Sequence, residues 1–304
     1  MENKVLVFGG DGWIGSKVVS LLISQNVEVL KAISRADDHI GIIEEIEQND
    51  GITHCMSFIG RTHGTFEGVK IETIDYLEKP GKLVENIRDN LFAPVILAHI
   101  CKQKNIHFTY MGTGCIFDYD DDHLFGDETT GFVENEKPNF FGSSYSIVKG
   151  YTDQLMQILN DGTTLNVRIR MPITDEFNKR NFITKITNYA KVCSIPNSMT
   201  VLDELLPVMI ELSLQNKVGT VNLTNPGVIT HNEILEMYKN IVDPSFTWNN
   251  FTIEEQNEIL ASKRSNNCLD TTNLEQLTNH EVKNIKESVY DTLVRMENNM
   301  YMML

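Results

Sequence analysis

The sequence predicts an α/β fold in which a doubly wound parallel sheet is followed by a smaller C-terminal domain. Three observations carry this reading. A short apolar run at residues 4–8 opens directly into Gly9-Gly10-Asp11-Gly12-Trp13-Ile14-Gly15. Strand-like runs then alternate with helical periodicity as far as residue 170. Beyond Met171-Pro172 that alternation loosens into helices and loops.

Taken in order, Lys4-Val5-Leu6-Val7-Phe8 suits a central parallel strand, buried on both faces. Residues 16–24 place Val18, Val19, Leu21 and Leu22 at helical spacing. Gly9, Gly12 and Gly15 between that strand and that helix permit a tight turn, close approach of backbone to a pyrophosphate, and close packing of helix on strand. The position at the head of the chain therefore makes it a Rossmann-type dinucleotide site. The next strand, residues 27–33, ends at Ser34-Arg35, where an NAD site carries an acid for the ribose hydroxyls. Arginine there suits a 2′-phosphate and favours NADP, although Asp37 and Asp38 follow closely and Arg35 could be a solvated loop cation. Residues 40–49 read as an acidic exposed helix, 53–60 as a strand, 82–104 as one helix, and 108–111 as a strand delivering Thr113 and Cys115 to the carboxyl edge of the sheet. Residues 165–170 give a further strand. The expected division is 1–170 for the dinucleotide-binding domain and 171–304 mainly for substrate, with residues 220–223 returning to the large sheet.

Composition narrows the function. The formal charge of −16 speaks against nucleic acid or an anionic membrane as partner, because phosphate binding draws on a basic surface. Any anionic ligand must be held by a few local cations and backbone amides. No run approaches a membrane span, and Met-Glu-Asn-Lys lacks the regions of a signal peptide, so a cytoplasmic location is expected. The five cysteines are widely spaced without Cys-x-x-Cys, which argues for free thiols and against a disulfide framework or a metal site.

Chemistry concentrates between Met111 and Lys149. Tyr145 and Lys149 are spaced i, i+4 and share one helix face, where a cation beside the phenol would lower its pKa from near 10. Thr113 adds a hydroxyl for the same carbonyl oxygen. Taken alone, Tyr-x-x-x-Lys arises by chance in many helices, and a lone cysteine such as Cys115 is usually a small buried hydrophobe.

Together, Gly9-x-x-Gly12-x-x-Gly15, Thr113 and Tyr145-x-x-x-Lys149 resemble the extended short-chain dehydrogenase/reductases that act on nucleotide sugars. Trp13-Ile14-Gly15, Thr113-Gly114-Cys115-Ile116-Phe117, Arg170-Met171-Pro172-Ile173, Arg180-Asn181-Phe182-Ile183-Thr184-Lys185-Ile186 and Ile195-Pro196-Asn197-Ser198-Met199-Thr200 narrow the resemblance to the bifunctional 3,5-epimerase/4-reductases of UDP-rhamnose synthesis. The stretch from Thr62 to Glu78 departs from that pattern.

The resemblance implies a reductase set of Tyr145, Lys149 and Thr113, with Asn90 completing a proton relay. It implies Cys115 and Lys185 as epimerase base and acid, although by itself Lys185 reads as a solvated helix cation. Trp13, Ile14, Ser34, Arg35 and Lys149 join Gly9, Gly12 and Gly15 around NADPH, and Asn181 and Arg264 contact the UDP-sugar. A homodimer is expected, since a helical pair often forms one in this fold. The alternatives are a monofunctional 4-keto-sugar reductase or epimerase with an inert Cys115, and a non-catalytic NADP-binding regulator.

Overall fold

A computed structural model describes residues 3–159, 162–278 and 281–302. Strand β1 (Lys4–Phe8) leads through the glycine turn into helix α1 (Trp13–Ser24). Strand β2 (Glu28–Lys31), helix α2 (His39–Gln48) and strand β3 (His54–Ser57) follow. A small antiparallel hairpin, β4 (Gly64–Phe66) and β5 (Val69–Ile71), occupies the stretch that departs from the family pattern. The helix expected at 82–104 is real but interrupted: α3 (Leu83–Ile87) and α4 (Ala93–Lys104) are joined by a π-helical turn, Arg88–Phe92. Asn90 sits in that turn and spends its amide on the Arg61 carbonyl and on Asn86 Oδ1, both at 2.8 Å. Such a turn re-aims a helix where a side chain is needed elsewhere.

Strand β6 (His107–Thr113) is buried throughout, and α5 (Ser144–Leu159), β7 (Thr164–Ile169) and the short strand β8 (Pro172–Ile173) come next. Helix α6 (Phe182–Thr187), strand β9 (Thr200–Val201), helix α7 (Leu202–Leu214) and strand β10 (Gly219–Asn222) precede four further helices: α8 (His231–Ile241), α9 (Ile253–Ile259), α10 (Thr272–Leu277) and α11 (Ile285–Met302).

Six strands form the main sheet in the order β10-β7-β6-β3-β1-β2, every pairing parallel. The chain steps from β1 out to β2 and then returns to the other side of β1, so the switch point lies between β1 and β3. Open α/β sheets bind ligands in the crevice at that point. Alternation along the strands feeds two cores. Val5 and Val7 pack towards α1 and α7 with Val18, Leu22 and Leu205, whereas Leu6 and Phe8 pack towards α2, α4 and α5 with Ile42, Leu97 and Met156. A third core joins Ile173, Ile183, Ile234, Val289 and Met296 in the C-terminal part. Burying each such side chain is worth about 1.5–3 kcal/mol, which fixes both layers against the sheet.

The segment 262–270 runs back across both parts. Ser262 donates its amide to Asp75 Oδ1 at 3.0 Å, Asn267 Nδ2 donates to the Phe117 carbonyl at 2.8 Å, and Asp270 donates its amide to the Phe132 carbonyl at 2.9 Å.

Candidate active site

A cleft of about 1360 Å³ opens at the carboxyl ends of β1, β3, β6 and β7, between the sheet and the C-terminal part. Nine lysines and arginines line it against five carboxylates, in a chain that holds 26 of the former and 42 of the latter. The cleft is thus a cationic region in an acidic protein, suited to an anionic ligand.

At its cofactor end Gly9 adopts φ +77°, and Gly12 donates its amide to the Gly9 carbonyl at 2.9 Å. A Cβ on Gly15 would lie 2.1 Å from the Gly9 oxygen, so no larger residue fits that crossing. Helix α1 starts at Trp13 without a side-chain cap, leaving first-turn amides for an anion. Trp13 and Ile14 both line the cleft, and the Trp13 indole donates to Glu176 Oε2 at 3.3 Å. Arg35 lines it too and pairs with Asp37 at 2.9 Å. Ser34 reaches the cleft, but its hydroxyl and amide both donate to Glu45 Oε2, at 2.5 and 2.9 Å, so it has only acceptor capacity to offer.

Along the same cleft, β6 delivers Thr113, the following loop Cys115, and successive turns of α5 Tyr145 and Lys149. Cys115 donates its amide to Thr113 Oγ1 at 3.0 Å. Burial pushes the Tyr145 phenol well above its ordinary value; the charge of a Cys115 thiolate would push it further, and a hydrogen bond with Thr113 works against both. The expected lowering of that pKa by Lys149 is not what the structure has. The Lys149 ammonium, buried itself, makes a short hydrogen bond to Tyr110 Oη and lies 4.6 Å from the Tyr110 ring centroid. Burial lowers Lys149 to about 8, while Asp153 and Cys115 pull the other way.

Lys185 projects from α6 into the same cleft. Burial and then Arg180 lower its pKa, Glu72 opposes them, and Arg264 and Cys115 also act on it. Asn181 does not line the cleft: its Oδ1 caps α6 by accepting from Ile183, and its Nδ2 donates to the carbonyls of Thr174 and Glu176, at 2.7 and 2.8 Å. The sequence reading of Asn181 as a substrate contact thus meets a helix cap. Arg264 does line the cleft and is gripped at 2.5 Å by Asp75, which also accepts from Thr73 Oγ1 at 2.6 Å. Burial would raise the Asp75 carboxyl, but Arg264, Thr73 and Ser262 outweigh it and hold it at about 2. Asp75 and His63, whose Nε2 meets an Arg180 nitrogen at 2.9 Å, flank the hairpin β4–β5. Neither carried a sequence signal, since the arginines they meet, Arg180 and Arg264, lie more than a hundred residues away.

The NAD dependent epimerase/dehydratase family matches residues 5–176. The chain belongs to this family. The crystal structure of the L780 UDP-rhamnose synthase from Acanthamoeba polyphaga mimivirus superposes on this chain with a TM-score of 0.91 at 50% identity, over 97% of this chain and 100% of that one. The bifunctional dTDP-4-dehydrorhamnose 3,5-epimerase/dTDP-4-dehydrorhamnose reductase of Arabidopsis thaliana is 42% identical over 287 residues, 93% of this chain and 90% of that protein. A trifunctional UDP-glucose 4,6-dehydratase/UDP-4-keto-6-deoxy-D-glucose 3,5-epimerase/UDP-4-keto-L-rhamnose-reductase of the same plant is also 42% identical, but this chain spans only 41% of it. The family's dinucleotide suits what this chain presents: a glycine crossing closed to side chains, an uncapped helix start, and cations along the cleft.

Proposed function

We propose that the protein converts UDP-4-keto-6-deoxy-D-glucose to UDP-L-rhamnose by 3,5-epimerisation and NADPH-dependent reduction of the 4-ketone. Residues 1–170 would hold the dinucleotide and 171–304 most of the nucleotide sugar, with Arg264 on the diphosphate. The observation that carries the reading is that one cleft is lined by Cys115 and Lys185 as well as by Tyr145, Lys149 and Thr113, side chains able to serve as two separate proton-transfer sets.

The C4 ketone makes the hydrogens on C3 and C5 acidic. A Cys115 thiolate takes each proton, Thr113 and Tyr145 donate hydrogen bonds to the enolate oxygen, and Lys185 returns a proton to the opposite face. The lowered pKa of Lys185 suits that last step, because it eases proton release near neutral pH. NADPH, when bound, supplies the hydride for C4. Tyr145, kept protonated by burial, then gives its proton to the ketone oxygen, and the charged Lys149 steadies the phenolate left behind. Among cofactors, Arg35 supports NADPH through a charge-assisted contact with a 2′-phosphate.

The two reactions should separate by mutation. Cys115→Ser exchanges a thiol for a hydroxyl, a far weaker acid and so a group far harder to turn into an anionic base, so proton removal should fall by roughly 10²–10⁴ while reduction persists. Tyr145→Phe should do the reverse. The measurements are deuterium uptake from heavy water into the 4-keto sugar without NADPH, and NADPH oxidation in a separate assay. Exchange at the parental rate in Cys115→Ser would make Cys115 an inert thiol and leave a monofunctional reductase.

A further inference from the structure

Beneath the cleft floor lies a tyrosine that none of the chemistry above uses. Tyr110 stands on β6 three residues before Thr113, is 1% exposed, and does not line the cleft. Its ring packs among Phe108, Met156 and Leu97 in the core between the sheet and α4 and α5. Its hydroxyl is the hydrogen-bond acceptor of the Lys149 ammonium.

We propose that Tyr110 is a positioning residue for the reaction, holding the Lys149 ammonium from below so that it stays charged and stationed at the reacting end of Tyr145. The inference rests on the reading of Lys149 and Tyr145 as the reductase pair. A buried ammonium is costly unless it is hydrogen-bonded, so an acceptor must be found for it. The nearby acid is already committed. Asp153 gives Oδ1 to Asn166 and Arg168 at 2.8 and 2.9 Å, and Oδ2 to Arg168 at 2.7 Å and Gln157 at 3.2 Å. A carboxylate acceptor would also neutralise the charge that the phenolate needs, whereas a phenol hydroxyl satisfies one of the three ammonium donors and leaves the charge intact. The ring face adds cation–π attraction at 4.6 Å. The titratable groups acting on Lys149 and Tyr110 are Cys115 from the loop after β6, and Asp153 and Tyr145 from α5 itself. Of these only Asp153 is a carboxylate, and Arg168 pairs with it.

Tyr110→Phe keeps the ring and its packing and removes only the oxygen, so it tests the hydrogen bond alone. Losing an acceptor from the charged form should lower the Lys149 pKa by about one unit, a tenfold change in its ionisation constant. Lys149 can be followed in the protein without ligands by NMR with ¹⁵Nζ-labelled lysine, its signal identified by its loss in Lys149→Met. The parent should titrate near 8, and Tyr110→Phe about one unit lower. In turnover the alkaline limb of NADPH oxidation should move with it, leaving the rate at pH 8 about fivefold lower and that at pH 6 close to the parent's. An unchanged Lys149 midpoint, or a shifted midpoint without a shifted limb, overturns the proposal. If the parent protein oxidises no NADPH with a 4-keto sugar nucleotide, the reductase reading fails, while the NMR midpoints still decide whether Tyr110 holds the ammonium.

Discussion

Arg35 and Asp37 stand 2.9 Å apart at the mouth of the dinucleotide site, and Arg88 approaches the other Asp37 oxygen at 3.7 Å. A 2′-phosphate therefore competes with Asp37 for the guanidinium rather than meeting a free cation. Arg35→Ala should raise the KM for NADPH roughly tenfold, the scale of one charge-assisted hydrogen bond, and leave use of NADH nearly unchanged. Steady-state kinetics with both cofactors checks this, and equal losses would remove Arg35 from the specificity argument. At this scale spacing pointed to Tyr145 and Lys149, whereas Cys115 and Lys185 were singled out only through the family resemblance. Thr113, Cys115, Tyr145, Lys149 and Lys185 all reach the cleft. The sequence was silent on Tyr110 and Asp75, whose roles come from contacts that no local pattern encodes. Asn181 was open to a better reading, because an asparagine just before an apolar helical run is a common N-cap.

Helix α5 carries Tyr145 and Lys149, and a buried ion pair moors it to the sheet. Asp153 on α5 meets Arg168 of β7 at 2.7 Å, with side chains 4% and 0% exposed. Removing one partner strands the other charge in the core, so Asp153→Ala should cost about 3–5 kcal/mol in urea unfolding. A loss below about 1 kcal/mol, the range of surface pairs, would show that the pair is not the mooring. Most elements were readable because strand runs and helical periodicity are local signals. The break at Arg88–Phe92 was not, since it depends on Asn90 reaching the Arg61 carbonyl, 29 residues away. The hairpin β4–β5 was equally hidden: three-residue strands give too little alternation to register.

Across the molecule, burial favours the neutral ring of His54, His63, His107 and His231. Burial lowers His54 and His231 to about 4, His54 with a further push from the neighbouring His107, which burial lowers as well. The unfolded chain takes up protons on these rings below about pH 6.5, whereas the folded His54 and His231 resist until about pH 4, so stability drains away as pH falls through that window. His54 alone should account for roughly 2–3 kcal/mol. Thermal melting from pH 7 to pH 4.5 measures this; a Tm that stays level would mean that the rings are already charged in the folded protein. The order β2-β1-β3 in the sheet lay beyond sequence reasoning, because alternating strands and helices fit several windings equally well.

The segment 262–270 sets a timetable as well as a geometry. A ribosome adds about 5–20 residues each second, and Asp75 leaves it 187 residues ahead of the Ser262 amide that it accepts. The Asp75 carboxylate and the carbonyls of Phe117 and Phe132 therefore spend seconds to tens of seconds in a nascent chain that has made the first strands of the sheet but not yet their partners. The cleft is among the last parts of the protein to come into being, finished from the far side by a segment that emerges long after the Asp75, Phe117 and Phe132 groups it binds.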